Sequence, residues 1–466
     1  MSNEISRMTF RERYAAMLTH LRSQIISGEW VPGEYIPPER VLIDRYQLSK
    51  PSVRKVLATL ADEGLIHTLK GKGSVVREVE NQCTVLQLFW LMPSVEYPVI
   101  SEVVERFNKV HKHVKVEITQ VSRSVINSTS ADGLFVGRVK PDLIGIGDNY
   151  FLYMQSLGLQ SFLQPIRHAL PGDIYGKLAS AYKAGEEWYA APITFSPVVL
   201  AYNKSLFRRK GLAEPNSSWN WDELLEAAKS LTERTDQSTD RFGFGFATGL
   251  NRWPLFVLQN GGSFGREEHG KPDTRTTEAL QFTVDLMYKH QVSPIYSTGL
   301  AALGDEMFLR EKVAMVLTSY MFTERFKDVD FDWEIAKFPG VSKEAAYGLA
   351  SGIGISSSCT VPEAAYTFID YVLSDSMQAF IKLNSCSIPA RSTIAASRKN
   401  DHSPVLGSAY YLFEELTPHM KLLSDLGMSY EELAALDQEL ALMWAHVEPV
   451  ENVYAKLQAF HKTVSP

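Results

Sequence analysis

Leu48-Ser49-Lys50-Pro51-Ser52-Val53-Arg54, continued by Val56, Leu57 and Leu60 and stopped at Gly64, is the stretch on which the reading turns. A serine ahead of a helical run suits an N-cap, since its oxygen can accept from the unpaired amides of the first turn. Val53, Val56, Leu57 and Leu60 share one face at helical spacing, which leaves Lys50 and Arg54 together on the opposite face at i,i+4. A helix that is apolar inward and basic outward is built to be pressed against a polyanion.

Working outward, Tyr14, Leu18, Leu21 and Ile25 recur at helical spacing, and Ser27-Gly28 supplies a stop where a left-handed backbone is needed. After the turn Val31-Pro32-Gly33, Pro38 suits the first position of a second helix through Val41, Leu42 and Tyr46. Downstream, Ile66 to Leu69 and Ser74 to Val76 flank Gly71-Lys72-Gly73 as a short hairpin whose tip can approach phosphates or a minor groove closely. The pattern predicts a helix-turn-helix with a wing over residues 1–77.

Ile25-Ile26-Ser27-Gly28-Glu29-Trp30-Val31-Pro32-Gly33-Glu34, Ile36-Pro37-Pro38-Glu39-Arg40, Leu48 to Arg54, Glu63-Gly64-Leu65-Ile66 and Lys70-Gly71-Lys72-Gly73 follow one another in order. Together they resemble the GntR family of bacterial regulators. The resemblance implies a homodimer on a pseudo-palindromic operator in double-stranded DNA, with Arg40, Ser49, Lys50, Arg54, Lys70 and Gly71 at the usual contact positions and Pro51 and Lys72 beside them. Arg and Lys can take guanine O6 and N7 in the major groove, whereas Ser49 and the wing suit phosphate. Pro38 and Val41 stand where the family usually builds a serine–glutamate capping box. Pro51 stands where many members carry threonine, which removes a hydroxyl contact and leaves the operator sequence open.

At 466 residues the chain is too long for one ordinary core, and its 45% hydrophobic and 22% charged residues mark a globular protein of two or three domains. Residues 1–80 carry 12 Lys+Arg against 10 Asp+Glu and the remainder 35 against 44, so only the front segment has the charge balance for nucleic acid. Cys83, Cys359 and Cys386 are widely spaced and odd in number, which argues against a disulfide framework or a zinc cluster. Met1-Ser2-Asn3-Glu4 lacks the basic and apolar regions of a signal peptide, and no stretch stays apolar over the ~18 residues of a membrane span. These features predict a cytoplasmic protein without membrane attachment.

A short polar linker, residues 78–84, leads into a different pattern. Val85-Leu86-Gln87-Leu88-Phe89 reads as a strand, Ile100, Val103, Val104 and Phe107 as a helical stripe, and Val114-Lys115-Val116-Glu117-Ile118 as a second strand, which is a βαβ unit. Leu143 to Gly147 is an apolar strand that ends in Asp148-Asn149, at the strand edge where ligands collect in open α/β sheets. Asn220-Trp221-Asp222-Glu223 caps a helix striped by Trp221, Leu224, Leu225 and Ala228, which opens a second α/β lobe.

Pro141-Asp142, Tyr202-Asn203-Lys204, Asn220 to Leu224, Gln259-Asn260-Gly261-Gly262, Val313-Ala314-Met315, Phe338-Pro339-Gly340 and Ile388-Pro389-Ala390-Arg391 come in that order. They resemble family 1 of the extracellular solute-binding proteins, the sugar-binding subunits of ABC importers. The resemblance implies a two-lobed, periplasmic-binding-protein-like (type II) α/β domain over 85–466. Lobe 1 is expected at about 85–193 and 334–378 and lobe 2 at about 196–330 and 380–466, with crossings near 191–196, 330–335 and 375–380. A sugar site needs flat aromatic faces with amides or carboxylates at loop mouths, because sugar rings expose C–H faces and a rim of hydroxyls. Trp90, Asp148, Asn149, Tyr150, Thr194, Phe195, Asn251, Trp253 and Tyr320 are the candidates, with Ser351, Gly352 and Arg391 behind them.

Gly261-Gly262-Ser263-Phe264-Gly265 spells G-x-S-x-G, but Trp253 to Gln259 ahead of it reads helical, where an α/β hydrolase using Ser263 would need a strand. His111-Lys112-His113 lacks convergent metal ligands, and no phosphate loop or pyridoxal-phosphate lysine segment stands out, so no metal, cofactor or catalysis is expected. Leu433, Leu436, Leu440 and Trp444 form a tail helix suited to packing on the second lobe or to a dimer interface. The sequence therefore predicts a DNA-binding regulator of sugar-transport genes controlled by a carbohydrate effector. A binding module whose front segment makes only protein contacts is the alternative.

Overall fold

The computed structural model describes residues 9–26, 29–69, 72–77, 83–92, 94–122, 139–158, 162–236, 238–263, 274–295, 301–341, 344–398, 408–453 and 455–456. Ser27-Gly28, Lys70, Gly71 and most of the linker lie outside them. Contacts divide the chain into two units, Met1–Val85 with Asn108–Lys115, and the remainder.

In the first unit, helices Phe10–Ile26, Glu39–Tyr46 and Lys50–Asp62 precede an antiparallel hairpin, Ile66–Leu69 with Gly73–Val76. Met17, Leu21, Leu42, Val53, Val56 and Leu60 are fully or almost fully buried in one core, with Tyr14 and Leu18 packed at its edge. Pro38 sits one position earlier than expected, at the N-cap of the second helix, where its extended backbone costs no amide. That helix ends at Gln47, which takes the left-handed conformation at φ 49°. The wing gains an edge not foreseen from sequence: Gly33 donates to Val76 O at 2.9 Å and Ile36 to Ser74 O at 2.9 Å, so the loop after the first helix pairs with the hairpin.

The second unit is organised by one strand. Ala190–Asn203 is buried at all fourteen positions and is shared between two sheet regions. Its first part pairs with Ala346–Ser356 and with Ile388–Pro389, and beyond Ala346–Ser356 the order runs through Leu143–Gly147 and Thr84–Met92 to Val114–Ser122. Its second part pairs with Val313–Ser319 and Trp333–Ala336, beyond which lie Thr239–Phe246 and Glu233–Arg234. The pairing shifts register between Ser351 and Gly352, where Thr194 and Pro192 face consecutive partners and Ile193 bulges. The bulged carbonyl is still satisfied, because Ile193 O accepts from Ala390 N at 3.0 Å and from the buried Gln378 amide at 3.2 Å.

Helices cover both regions. Tyr97–Val110 packs its Phe107 edge-on against Phe368 and Tyr371 of Pro362–Val372. Trp221–Leu231 opens with a complete Asn220–Glu223 capping box and stacks Trp221 on Phe282 of Thr274–Met287, ring centroids 4.3 Å apart. Two expected crossings fall later than the resemblance implies. Trp333–Ala336 still pairs with the second part of the long strand, and helix Asp375–Asn384 packs with Ile388–Pro389 in the first region. The second region's core, which holds Leu224, Phe256 and Leu280, also takes in Leu423 and Leu426. The tail helix Tyr430–Trp444 buries Leu433, Leu436, Leu440 and Trp444 in the second core, Trp444 lying edge-on to Trp253, so that face is used within the chain.

Candidate functional sites

On the winged unit, Arg40, Ser49, Lys50, Pro51, Arg54 and Lys72 are all exposed, as is Val41 beside Arg40, while Leu42, Tyr46, Leu48, Val53, Val56 and Leu60 are buried. Ser49 occupies the N-cap of Lys50–Asp62, but its hydroxyl is turned to Ser52 Oγ at 2.8 Å and makes no capping bond. Arg54 Nε donates to Glu39 Oε1 at 2.8 Å, which ties the recognition helix to the first turn of the helix that carries Arg40.

In the second unit a cleft open to solvent lies where the two sheet regions meet. One wall comes from the ends of Thr84–Met92 and Leu143–Gly147: Trp90, Ser94, Glu96, Asp148, Asn149 and Tyr150. The other comes from Leu250, Asn251, Met321 and Phe322, with Tyr347, Leu349 and Ser351 between them. The backbone explains why Trp90 lies where it does. A Cβ on Gly145 would fall 2.0 Å from Trp90 Cε3, so the indole covers a strand position that only glycine leaves vacant.

The carboxylates of the cleft are held tightly. Asp148 begins helix Asp148–Ser156, is buried, and accepts the amides of Ala350 at 3.3 Å and Leu423 at 3.4 Å. Burial pushes its acid from the ordinary 3.8 up to about 6, against the pull of those amides. Glu96, 3% exposed, accepts the hydroxyls of Thr194, Ser351 and Ser387. Across the cleft the fully buried Arg252 donates to Asn251 O at 2.8 Å and lies over the Phe322 ring at 5.1 Å. Burial draws Arg252 down and lifts its neighbour Asp305, each opposed by the other's charge.

Of the residues singled out from sequence, the cleft brings together Trp90, Asp148, Asn149, Tyr150, Asn251 and Ser351. The others sit elsewhere. Thr194 lies beneath Glu96, and Phe195 is in the core, edge-on to Tyr175 and Phe413. Trp253 packs on Trp444 and Tyr320 on Tyr410, so the cleft wall is made by their neighbours Asn251, Met321 and Phe322. Gly352 backs onto Tyr182 and Ala191 O, and Arg391 is engaged by Asp173 and Asp375. Glu96, Phe322 and Tyr347 were not foreseen; for Glu96 the available signal was an acid placed just after the first strand's C-terminal end.

Ser263 follows helix Pro254–Gln259, which Gly261 closes at φ 76°; a helix therefore precedes the G-x-S-x-G stretch where a nucleophile elbow needs a strand. Among the described residues there is no cluster of three or more His, Cys, Asp or Glu able to hold a metal, and no helix is long and apolar enough to cross a membrane.

A two-lobed α/β unit with a cleft at its crossing strands, preceded by a winged helix-turn-helix, is a solute-binding domain joined to a DNA-binding one. The chain belongs to the bacterial extracellular solute-binding protein family, whose model matches residues 93–379, and it is a fusion, since residues 13–76 match the gntR family of bacterial regulatory proteins. It is 36% identical over 63 residues to the HTH-type transcriptional repressor NagR of Bacillus subtilis, covering 14% of this chain and 26% of that protein. It is 26% identical over 235 residues to the sn-glycerol-3-phosphate-binding periplasmic protein UgpB of Agrobacterium fabrum, covering 47% and 52%. The chain thus spans about a quarter and about half of these relatives. Among solved structures, the Listeria monocytogenes ABC substrate-binding protein in complex with cycloalternan superposes with a TM-score of 0.68 at 20% identity, covering 81% of this chain and 97% of that one.

Proposed function

We propose that this protein is a cytoplasmic transcription regulator that binds operator DNA as a homodimer and whose grip on DNA is set by a carbohydrate held in the cleft. The carrying observation is the make-up of that cleft. Trp90, Tyr150, Phe322 and Tyr347 offer aromatic faces, Asp148, Glu96, Asn149, Asn251 and Ser351 offer hydrogen-bonding groups, and no Lys, Arg or His is found among the described lining residues. Such a lining suits an uncharged polyhydroxyl ligand. A phosphorylated one, of the kind named for the Agrobacterium relative, would meet two carboxylates and no cation.

Residence with DNA follows from the exposed Arg40, Lys50, Arg54 and Lys72 on the winged unit, and pairing follows from the logic of two half-sites. Non-enzymatic action is part of the same reading. A thermal-shift screen of neutral and phosphorylated sugars tests it: a neutral saccharide at ~100 times its Kd stabilises the protein by ~2.7 kcal/mol, while its phosphate ester does not. Stabilisation by the phosphate esters alone would overturn the carbohydrate assignment.

A further inference from the structure

We propose that Glu96 is a positioning residue that fastens the cleft to the chain segments on which the two lobes meet, so that a donor group arriving in the cleft is registered directly at the crossing. The inference rests on the reading of the cleft as the ligand site. Three hydroxyls from three separate segments converge on this one carboxylate. Thr194, on the long strand beside the Ile193 bulge, and Ser387, at 2.8 Å and just before Ile388–Pro389, donate to Oε1, and Ser351 donates to Oε2. The three segments are also neighbours in the sheet, because Thr194 faces Ser351 on one side and Pro389 on the other.

Glu96 is itself fixed. Its amide donates to Ser94 Oγ at 3.2 Å, and its carbonyl accepts Ile100 N at 3.0 Å in the first turn of Tyr97–Val110. A carboxylate offers about four acceptor sites, and three are taken by protein hydroxyls. Because Glu96 also lines the cleft, the remaining site is open to a hydrogen-bond donor of the ligand. That donor would share an acceptor with all three hydroxyls, and their bonds would lengthen or shorten together. Three independent serine or threonine contacts would not respond as a set.

The test needs no ligand and no DNA, so its outcome is separate from that of the functional reading. Amide hydrogen exchange is followed in the full chain for residues 192–197, 349–353 and 386–390. In Glu96→Ala, exchange at all three segments rises at least tenfold while helix Tyr430–Trp444 keeps its protection; Glu96→Gln, which retains one acceptor oxygen, falls between. Thr194→Val removes one hydroxyl at nearly constant shape and raises exchange at the Ser351 and Ser387 segments as well as its own. Thr194→Val confined to its own segment, or Glu96→Ala loosening the whole unit evenly, would overturn the proposal.

Discussion

The winged unit and the cleft solve opposite problems. On the winged unit every described DNA-contact candidate is exposed and other residues, Leu42, Leu48, Val53, Val56 and Leu60 among them, carry the core, so the functional and folding roles fall on different side chains. In the cleft, Trp90, Glu96 and Asp148 are each buried and serve both roles at once. Substitutions on the first surface should therefore alter binding without altering stability, whereas in the cleft the two should change together.

The largest separation is expected for Arg40→Ala with Arg54→Ala. Losing two guanidinium contacts at ~1–3 kcal/mol each lowers operator affinity ~30-fold or more in fluorescence anisotropy, with the urea midpoint essentially unmoved. A destabilised double variant would break the division of labour. Gly145→Ala is the converse. Its methyl collides with the Trp90 ring, and overpacking of this kind costs ~1–3 kcal/mol; both the melting temperature and sugar affinity fall, while binding to operator without ligand is kept.

The pH dependence at Asp148 tests the cleft side of the comparison. Between the unfolded value near 3.8 and the folded value of about 6, the native state holds the proton more tightly. Stability from this group is present below pH 3.8 and is lost as pH rises to 6. Asp148→Asn removes that slope from urea midpoints recorded across the window. A slope unchanged by the substitution would assign it to other groups.

The same contrast decides how much the sequence could reveal. The winged unit is local: its core positions repeat at three and four residues, and Lys50 and Arg54 follow from the same periodicity. Trp90 and Asp148 to Tyr150 were legible for a related reason, since each lies at the end of a strand readable by itself. Phe195, Trp253 and Tyr320 pack in the core and not in the cleft because which face of a strand or short helix turns inward depends on strand order, which local spacing does not carry. Glu96 shows the limit most plainly, as its three hydroxyl partners lie 98, 255 and 291 residues away.

The central claim is that occupancy of the cleft changes the hold on DNA. Operator affinity of the full chain is measured by anisotropy at fixed salt with the cleft empty and then saturated by a sugar shown independently to bind. The account predicts a shift of ~5–150-fold, the range of a ~1–3 kcal/mol coupling, which disappears in Trp90→Ala. Equal affinity in the two states would contradict it.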